Sequence, residues 1–224
     1  LQHAKFPVVS CPSGLAIGGG YEVISQTSFI AAHSNSVLGL VESLVGLIPA
    51  GGGCKEMLRR WANHSDIKND PKKLSLKVFN LIGYATTTDS PIKAKAQQFL
   101  GEQDIMVMSK DRLIEEADNI IFSNKENYQS LDSATFSLPG STVMSDMMNI
   151  LYDLKDKKVI GEHGIEVGKK LGYMLSGGDT TPSTILTEQN LYDLEREIFI
   201  DLIGQKPTQQ RIRHTLDTGK PLFN

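Results

Sequence analysis

Gly14-Leu15-Ala16-Ile17-Gly18-Gly19-Gly20-Tyr21-Glu22 places three consecutive glycines ahead of an apolar stretch, Tyr21-Glu22-Val23-Ile24-Ser25, suited to a buried helix. Upstream, Phe6-Pro7-Val8-Val9-Ser10-Cys11 is a short apolar run bounded by Pro12-Ser13-Gly14 and reads as a buried strand. Downstream, Phe29-Ile30-Ala31-Ala32 reads as a second strand and Ser36-Val37-Leu38-Gly39-Leu40 as a third. A second glycine cluster, Gly51-Gly52-Gly53, then precedes the helical pattern Glu56-Met57-Leu58-Arg59-Arg60-Trp61. Strand, glycine turn and helix in this alternation predict an α/β fold.

Consecutive glycines at a strand-to-helix junction have a physical use. Without Cβ atoms the backbone approaches a ligand closely and adopts positive φ. The first N–H groups of the helix are then aimed at whatever sits there, and the helix dipole favours negative charge. No Lys-Ser/Thr follows as in a P-loop, and the spacing is not a dinucleotide fingerprint. Three uses stay open: a tight turn for packing, a phosphate cradle, or an oxyanion hole for a thioester or ester carbonyl.

Two carboxylates stand beside these turns. Glu22 lies one turn into the apolar helix, and Glu42 interrupts Leu40, Val41 and Leu44. A carboxylate in such a setting is solvent-facing, paired, protonated or chemically employed, because desolvating it is costly. Two glutamates can also hold one water between them and divide the roles of base and acid.

Composition narrows the class. The 224 residues carry 23 Lys+Arg against 26 Asp+Glu, a net charge of −3, with 40% hydrophobic and 22% charged residues. Disorder and collagen-like structure are excluded. The slight acidity argues against nucleic acid as the main partner. The most apolar stretch, Val37 to Ile48, is broken by Glu42 and falls short of the ~18–20 residues of a membrane span. Cys11 and Cys54 form no disulfide framework, so a reducing, cytoplasmic setting is expected. His3, His33, His64, His163 and His214 show no metal-ligand spacing.

Residues 71–224 read mainly as amphipathic helices. Leu113, Ala117 and Ile120 or Ile121 share a face after an N-cap at Ser109. Met147, Leu151 and Leu154 line a helix that starts after Ser141 or Thr142, and Val167, Leu171, Met174 and Leu175 one that stops at Gly177-Gly178. Leu191, Leu194, Ile198 and Leu202 run from a Thr187 cap to Gly204. Asp104-Ile105-Met106-Val107-Met108 is expected to be the one late strand.

Taken in order, Lys5-Phe6-Pro7-Val8-Val9, Gly14 through Glu22, Leu38-Gly39-Leu40-Val41-Glu42 and Gly46-Leu47-Ile48-Pro49-Ala50-Gly51-Gly52-Gly53 resemble the crotonase (enoyl-CoA hydratase/isomerase) superfamily. The resemblance implies a partial crotonase-like β-β-α spiral core, its later half in residues 1–68. A mainly helical region, 69–224, is expected to pack on that core. By the same resemblance Gly19 supplies an oxyanion-hole N–H, Glu22 mainly activates water, and Glu42 mainly delivers a proton. Gly18, Gly20, Pro49, Ala50 and Gly51 line the substrate. The family usually has Pro-Gly where this chain has Pro49-Ala50, and alanine keeps that N–H.

The implied reaction is hydration of a trans-2-enoyl-CoA. Family isomerases commonly keep only the carboxylate matching Glu42, so having both favours hydration over Δ3-Δ2 isomerisation. A non-catalytic helical docking or oligomerisation module is the alternative from another class. The stretches Asp104–Ile114, Leu175–Asp179, Thr187–Gln189, Leu194–Glu197 and Thr218–Leu222 resemble the C-terminal region of bacterial fused fatty-oxidation proteins. In those, a 3-hydroxyacyl-CoA dehydrogenase precedes the hydratase part. The expected ligand is a coenzyme A thioester as substrate, with no cofactor or metal in this chain and NAD only with an upstream dehydrogenase. Homo-oligomers are expected. The family's early strands, which bring the second oxyanion donor and much of the CoA-adenine site, have no counterpart here. The chain is therefore expected to be a fragment, weak or inactive alone, since one lost donor costs roughly 10²–10³ in rate.

Overall fold

Local chemistry sets most helix boundaries. Asp70 accepts from the Lys73 N–H with Pro71 in the first turn, and Ser90 does the same for Lys93 ahead of Pro91. Thr187 and Asn190 form a reciprocal capping box. Gly177, at φ 93°, closes its helix with N–H bonds from Gly177 to Met174 and from Gly178 to Tyr173.

The structure, a computed structural model, describes residues 1–224. The chain runs β1 (Val9–Ser10), β2 (Leu15–Ile17), α1 (Gly19–Ser25), β3 (Phe29–His33) and β4 (Val37–Gly39), then a 3-10 turn at Glu42–Val45. It continues with α2 (Gly53–Ala62), α3 (Pro71–Gly83), β5 (Thr87–Thr88), α4 (Pro91–Ala96), β6 (Ile105–Val107) and α5 (Leu113–Asn124). The remainder is β7 (Thr135–Ser137), α6 (Met144–Asp156), α7 (Glu162–Ser176), β8 (Ile185–Thr187), α8 (Glu188–Gly204) and α9 (Lys206–Thr218). No helix is long and apolar enough to cross a membrane.

Two compact units result. The first comprises Leu1–Leu40 and Thr87–Ser133, the second Val41–Thr86 and Ala134–Asn224. In the first, β3 pairs in parallel with β1 (Val9 opposite Phe29) and with β6 (Ala31 opposite Ile105). A second small sheet has β4 between parallel β2 (Ile17 opposite Gly39) and antiparallel β5. Ala31, Val107 and Leu113 form a core patch with Val9, Cys11, Ile105 and Ile120 against it. In the second unit α6 packs on α7, α3 on α2 and α7, and α8 on α2, α7 and α9, with the hairpin β7-β8 beside α8.

The structure departs from the sequence expectations at several points. The boundary expected at 68/69 is not where contacts divide the chain. Residues 41–68 pack with the helices, while 87–133 join the first forty because β6 enters their sheet. The strand read over Phe6–Cys11 shrinks to Val9–Ser10, and Phe6 is 66% exposed. Ser109 opens a short 3-10 turn at Lys110–Arg112 with no side-chain cap, rather than capping α5. β6 is not the one late strand, because β5, β7 and β8 also form.

A buried ion cluster joins α2 to α8. Lys55, Glu56 and Glu195 have no exposed surface. The Glu56 carboxylate accepts from Arg59 Nε at 3.0 Å and Arg60 Nε at 2.9 Å. Lys55 Nζ lies 3.4 Å from Glu56, 3.6 Å from Glu188 and 5.0 Å above the Tyr192 ring. Burial acts to raise the Glu56 pKa, but Arg59, Arg60 and Lys55 outweigh it and hold the carboxyl below the usual carboxylate range. Burial pushes Lys55 down, yet Glu56, Tyr192 and Glu188 leave the ammonium above the ordinary lysine range.

A carboxylate with a depressed folded pKa contributes stability that is fully present above its unfolded pKa and lost as pH falls through the folded value. Removing one member of a buried ion group costs about 3–5 kcal/mol. Glu56→Gln is therefore expected to lower the neutral-pH unfolding free energy by that amount. In thermal melts, its Tm should fall less on acidification than the parent's.

Candidate active site

In the first unit, Gly18 sets where α1 begins. Its backbone sits at φ 57°, ψ −132°, a conformation that suits glycine. The Gly18 N–H donates to the Gly39 carbonyl at 2.8 Å, and the Gly18 carbonyl accepts the first helical bond, from Glu22 N, at 3.0 Å. Gly19 and Gly20 follow as the first helical residues, whose N–H groups have no acceptor inside the helix. A Cβ on Gly20 would meet nothing within 4 Å, and one on Gly19 would come 4.0 Å from Glu22 Oε2.

Glu22 is only 8% exposed, so it does not face solvent. Tyr21, next to it, anchors the helix by donating to the Phe99 carbonyl at 3.0 Å and meeting the Phe99 ring edge-on at 4.9 Å. Ser25 Oγ and Gln26 Nε2 both donate to the Glu22 carbonyl, closing the far end. A buried carboxylate thus stands beside open helix-start amides, on a helix fixed from below.

In the second unit, Glu42 begins the 3-10 turn and is half-buried, with its Oε2 shielded from solvent. Gly46 closes the turn at φ 80°, and Leu47 N donates to the Glu42 carbonyl at 3.0 Å. Ser43 Oγ donates to the Ile82 carbonyl of α3 at 3.2 Å. An apolar cavity of about 80 Å³ adjoins the turn, lined by Ser43, Leu44, Phe79, Leu151, Val167 and Leu171 among others. Glu22 and Glu42 thus fall in different units, and each is defined within its own.

The second glycine cluster is occupied differently. Gly52, at φ 98°, precedes α2, and the Glu195 carboxylate of α8 accepts from Gly52 N and Lys55 N, both at 2.8 Å. The anion at this helix start is a side chain of the chain itself, so these two amides are not open to a ligand. Pro49, Ala50 and Gly51 lead into this turn, and the Pro49 carbonyl accepts from the buried Cys54 thiol at 3.4 Å. Cys11 is half-buried with its thiol directed at the Leu113 carbonyl, and burial, then Asp118, pushes its pKa up. That is the opposite of thiolate activation.

The apolar pattern of α8 (Leu191, Leu194, Ile198, Leu202) assigns Glu195 no role. The signal was there: Glu195 is four residues after Leu191 and three before Ile198, which puts it on the inward face. Thr208 and Arg211, three apart on α9 and both buried, were also passed over. His163 gave no signal beyond its residue type.

Residues 1–69 match the family model described as Enoyl-CoA hydratase/isomerase. The whole chain aligns at 33% identity over 225 residues with a Bacillus subtilis protein described as "Probable 3-hydroxyacyl-CoA dehydrogenase", covering 28% of it. It aligns at 28% identity, over 95% of the chain, with 26% of a Rickettsia felis protein whose description includes "fatty acid oxidation complex trifunctional enzyme". The chain thus spans about a quarter of the length of these relatives. Among solved structures it is similar to the carnitinyl-CoA hydratase of Mycobacterium avium, at TM-score 0.55 and 13% identity, covering 97% of this chain and 62% of that one. It is equally similar to an enoyl-CoA hydratase/isomerase of Pseudoalteromonas atlantica T6c, at TM-score 0.55, 13% identity, and 97% and 64% coverage. The chain has a crotonase-like α/β fold, and its residues 1–69 carry the sequence pattern of the crotonase, or enoyl-CoA hydratase/isomerase, superfamily.

Proposed function

We propose that this chain carries part of an enoyl-CoA hydratase active site within a fatty-acid oxidation enzyme. The observation that supports it most directly is the pairing of buried Glu22 with the open start of α1 at Gly19 and Gly20. By the family resemblance, Glu42 is the second carboxylate of the reaction.

In the proposed reaction, Glu22 takes a proton from water as its oxygen bonds to C3 of the enoyl thioester. The C2–C3 π electrons move toward the thioester carbonyl, whose developing negative charge accepts from the Gly19 N–H. Glu42, protonated at the start, then delivers its proton to C2, giving 3-hydroxyacyl-CoA, and the proton taken up by Glu22 returns to Glu42 through solvent to reset the site. One water is added across one double bond, with no redox change. By the same resemblance, Gly18, Gly20, Pro49, Ala50 and Gly51 are substrate-binding residues. The substrate is a coenzyme A thioester, no cofactor is consumed, and the enzyme works as a homo-oligomer. NAD enters only through a dehydrogenase elsewhere in a longer protein.

The test is hydration of crotonyl-CoA by the full-length protein. Glu22→Gln and Glu42→Gln are each expected to lower kcat by about 10²–10⁴, the usual contribution of general acid–base catalysis. Unchanged hydration in both variants overturns the assignment. Loss in Glu42→Gln alone, together with turnover of a 3-enoyl-CoA, assigns the site to isomerisation instead.

A second variant separates the oxyanion donor from the carboxylates. Gly19→Pro deletes one N–H at the first helical position, where proline is tolerated and a Cβ would come no nearer than 4.0 Å to Glu22 Oε2. Its kcat should fall by about 10²–10³ with Tm nearly unchanged. An unaltered kcat removes Gly19 from the site.

A further inference from the structure

The turn that begins with Glu42 is held by three buried polar side chains from the helical region. Thr208 Oγ1 of α9 donates to the Gly46 carbonyl at 3.0 Å, and Arg211 Nη1 reaches the Ser43 carbonyl at 3.4 Å. His163 Nε2 of α7 lies 2.7 Å from Thr208 Oγ1. The Thr208 hydroxyl has one hydrogen and gives it to Gly46, so His163 must donate from Nε2. Burial and then Arg211 keep the His163 pKa below its ordinary value, which suits this neutral tautomer.

The fit around Gly46 is close. A Cβ there would stand 3.0 Å from Thr208 Oγ1, 3.1 Å from His163 Nε2 and 3.2 Å from Arg211 Cδ. Thr208 is fully buried, and Arg211 is 3% exposed. The guanidinium donates to the Ser43 carbonyl, and to Oδ1 and the backbone oxygen of Asn224 at 2.7 and 3.2 Å. Burying a guanidinium is a costly way to gain stability. It is an effective way to fix backbone carbonyls. A four-residue 3-10 turn has weak hydrogen-bond geometry of its own and needs such outside support.

We propose that Thr208 and Arg211, with His163 behind Thr208, are positioning residues that hold the Glu42 turn in the geometry its carboxylate requires. The proposal rests on the hydratase reading for what Glu42 does, but the clamp itself is measurable without it. A misplacement of about 1 Å in a reacting group costs on the order of 10²-fold in rate, so loosening this turn acts on kcat before it acts on binding.

The experiment uses Thr208→Val in the full-length protein, with Thr208→Ser as the conservative control. Thr208→Val should accelerate hydrogen exchange at the Gly46 and Leu47 amides. It should also lower kcat for crotonyl-CoA hydration by about 10-fold or more while moving KM less than twofold. Thr208→Ser should restore both. In a Glu42→Gln background, adding Thr208→Val should cost nothing further, because the two act as a unit. Unchanged exchange in Thr208→Val, or an equal loss of kcat in the Glu42→Gln background, overturns the proposal. If Thr208→Val does not fold, Arg211→Lys takes its place with the same readouts. Accelerated exchange with Glu42→Gln itself harmless leaves the clamp standing and sinks the catalytic reading.

Discussion

A single backbone hydrogen bond, from the Gly18 N–H to the Gly39 carbonyl, sets where the helix carrying Glu22 can start. It extends the parallel pairing of β2 with β4 by one step and then ends it, because Gly18 turns into a conformation that a strand does not continue. The next residue is already helical. The open amides of Gly19 and Gly20 and the buried carboxylate of Glu22 follow from that turn, so the local site depends on one glycine and one carbonyl.

The second unit solves a related problem with charge. Its α2 also begins at a glycine cluster, yet the helix start is filled by Glu195, and the next turn carries Lys55 and Glu56 into the interior. Each charge is costly to bury alone, and together they satisfy one another. The two glycine-rich turns resemble each other in sequence and serve different ends. One leaves its amides open, and the other closes them with an internal anion.

Much of this was readable from residues. The order of strand, glycines and helix over 14–25 set the α/β class, and the Thr187 cap and the Gly177-Gly178 stop fall where the pattern put them. Glu22 and Glu42 stood out because each breaks an apolar stretch. The division into units was hidden, because it depends on which strand β6 joins, and pairing partners leave no mark on a three-residue apolar run. Phe6 misled by composition, being apolar but outside the paired residues. Arg211 and Thr208 were hidden for a different reason: a polar residue on a polar-rich helix looks solvated until the carbonyls it meets are known.

Lys55 carries a consequence for how this region is observed. Its amine has no exposed surface and is surrounded by Glu56, Glu188 and the Tyr192 ring. Acylating reagents that modify the surface lysines therefore spare it while the second unit is closed. A label on that one side chain is a chemical record of α2 and α8 having come apart.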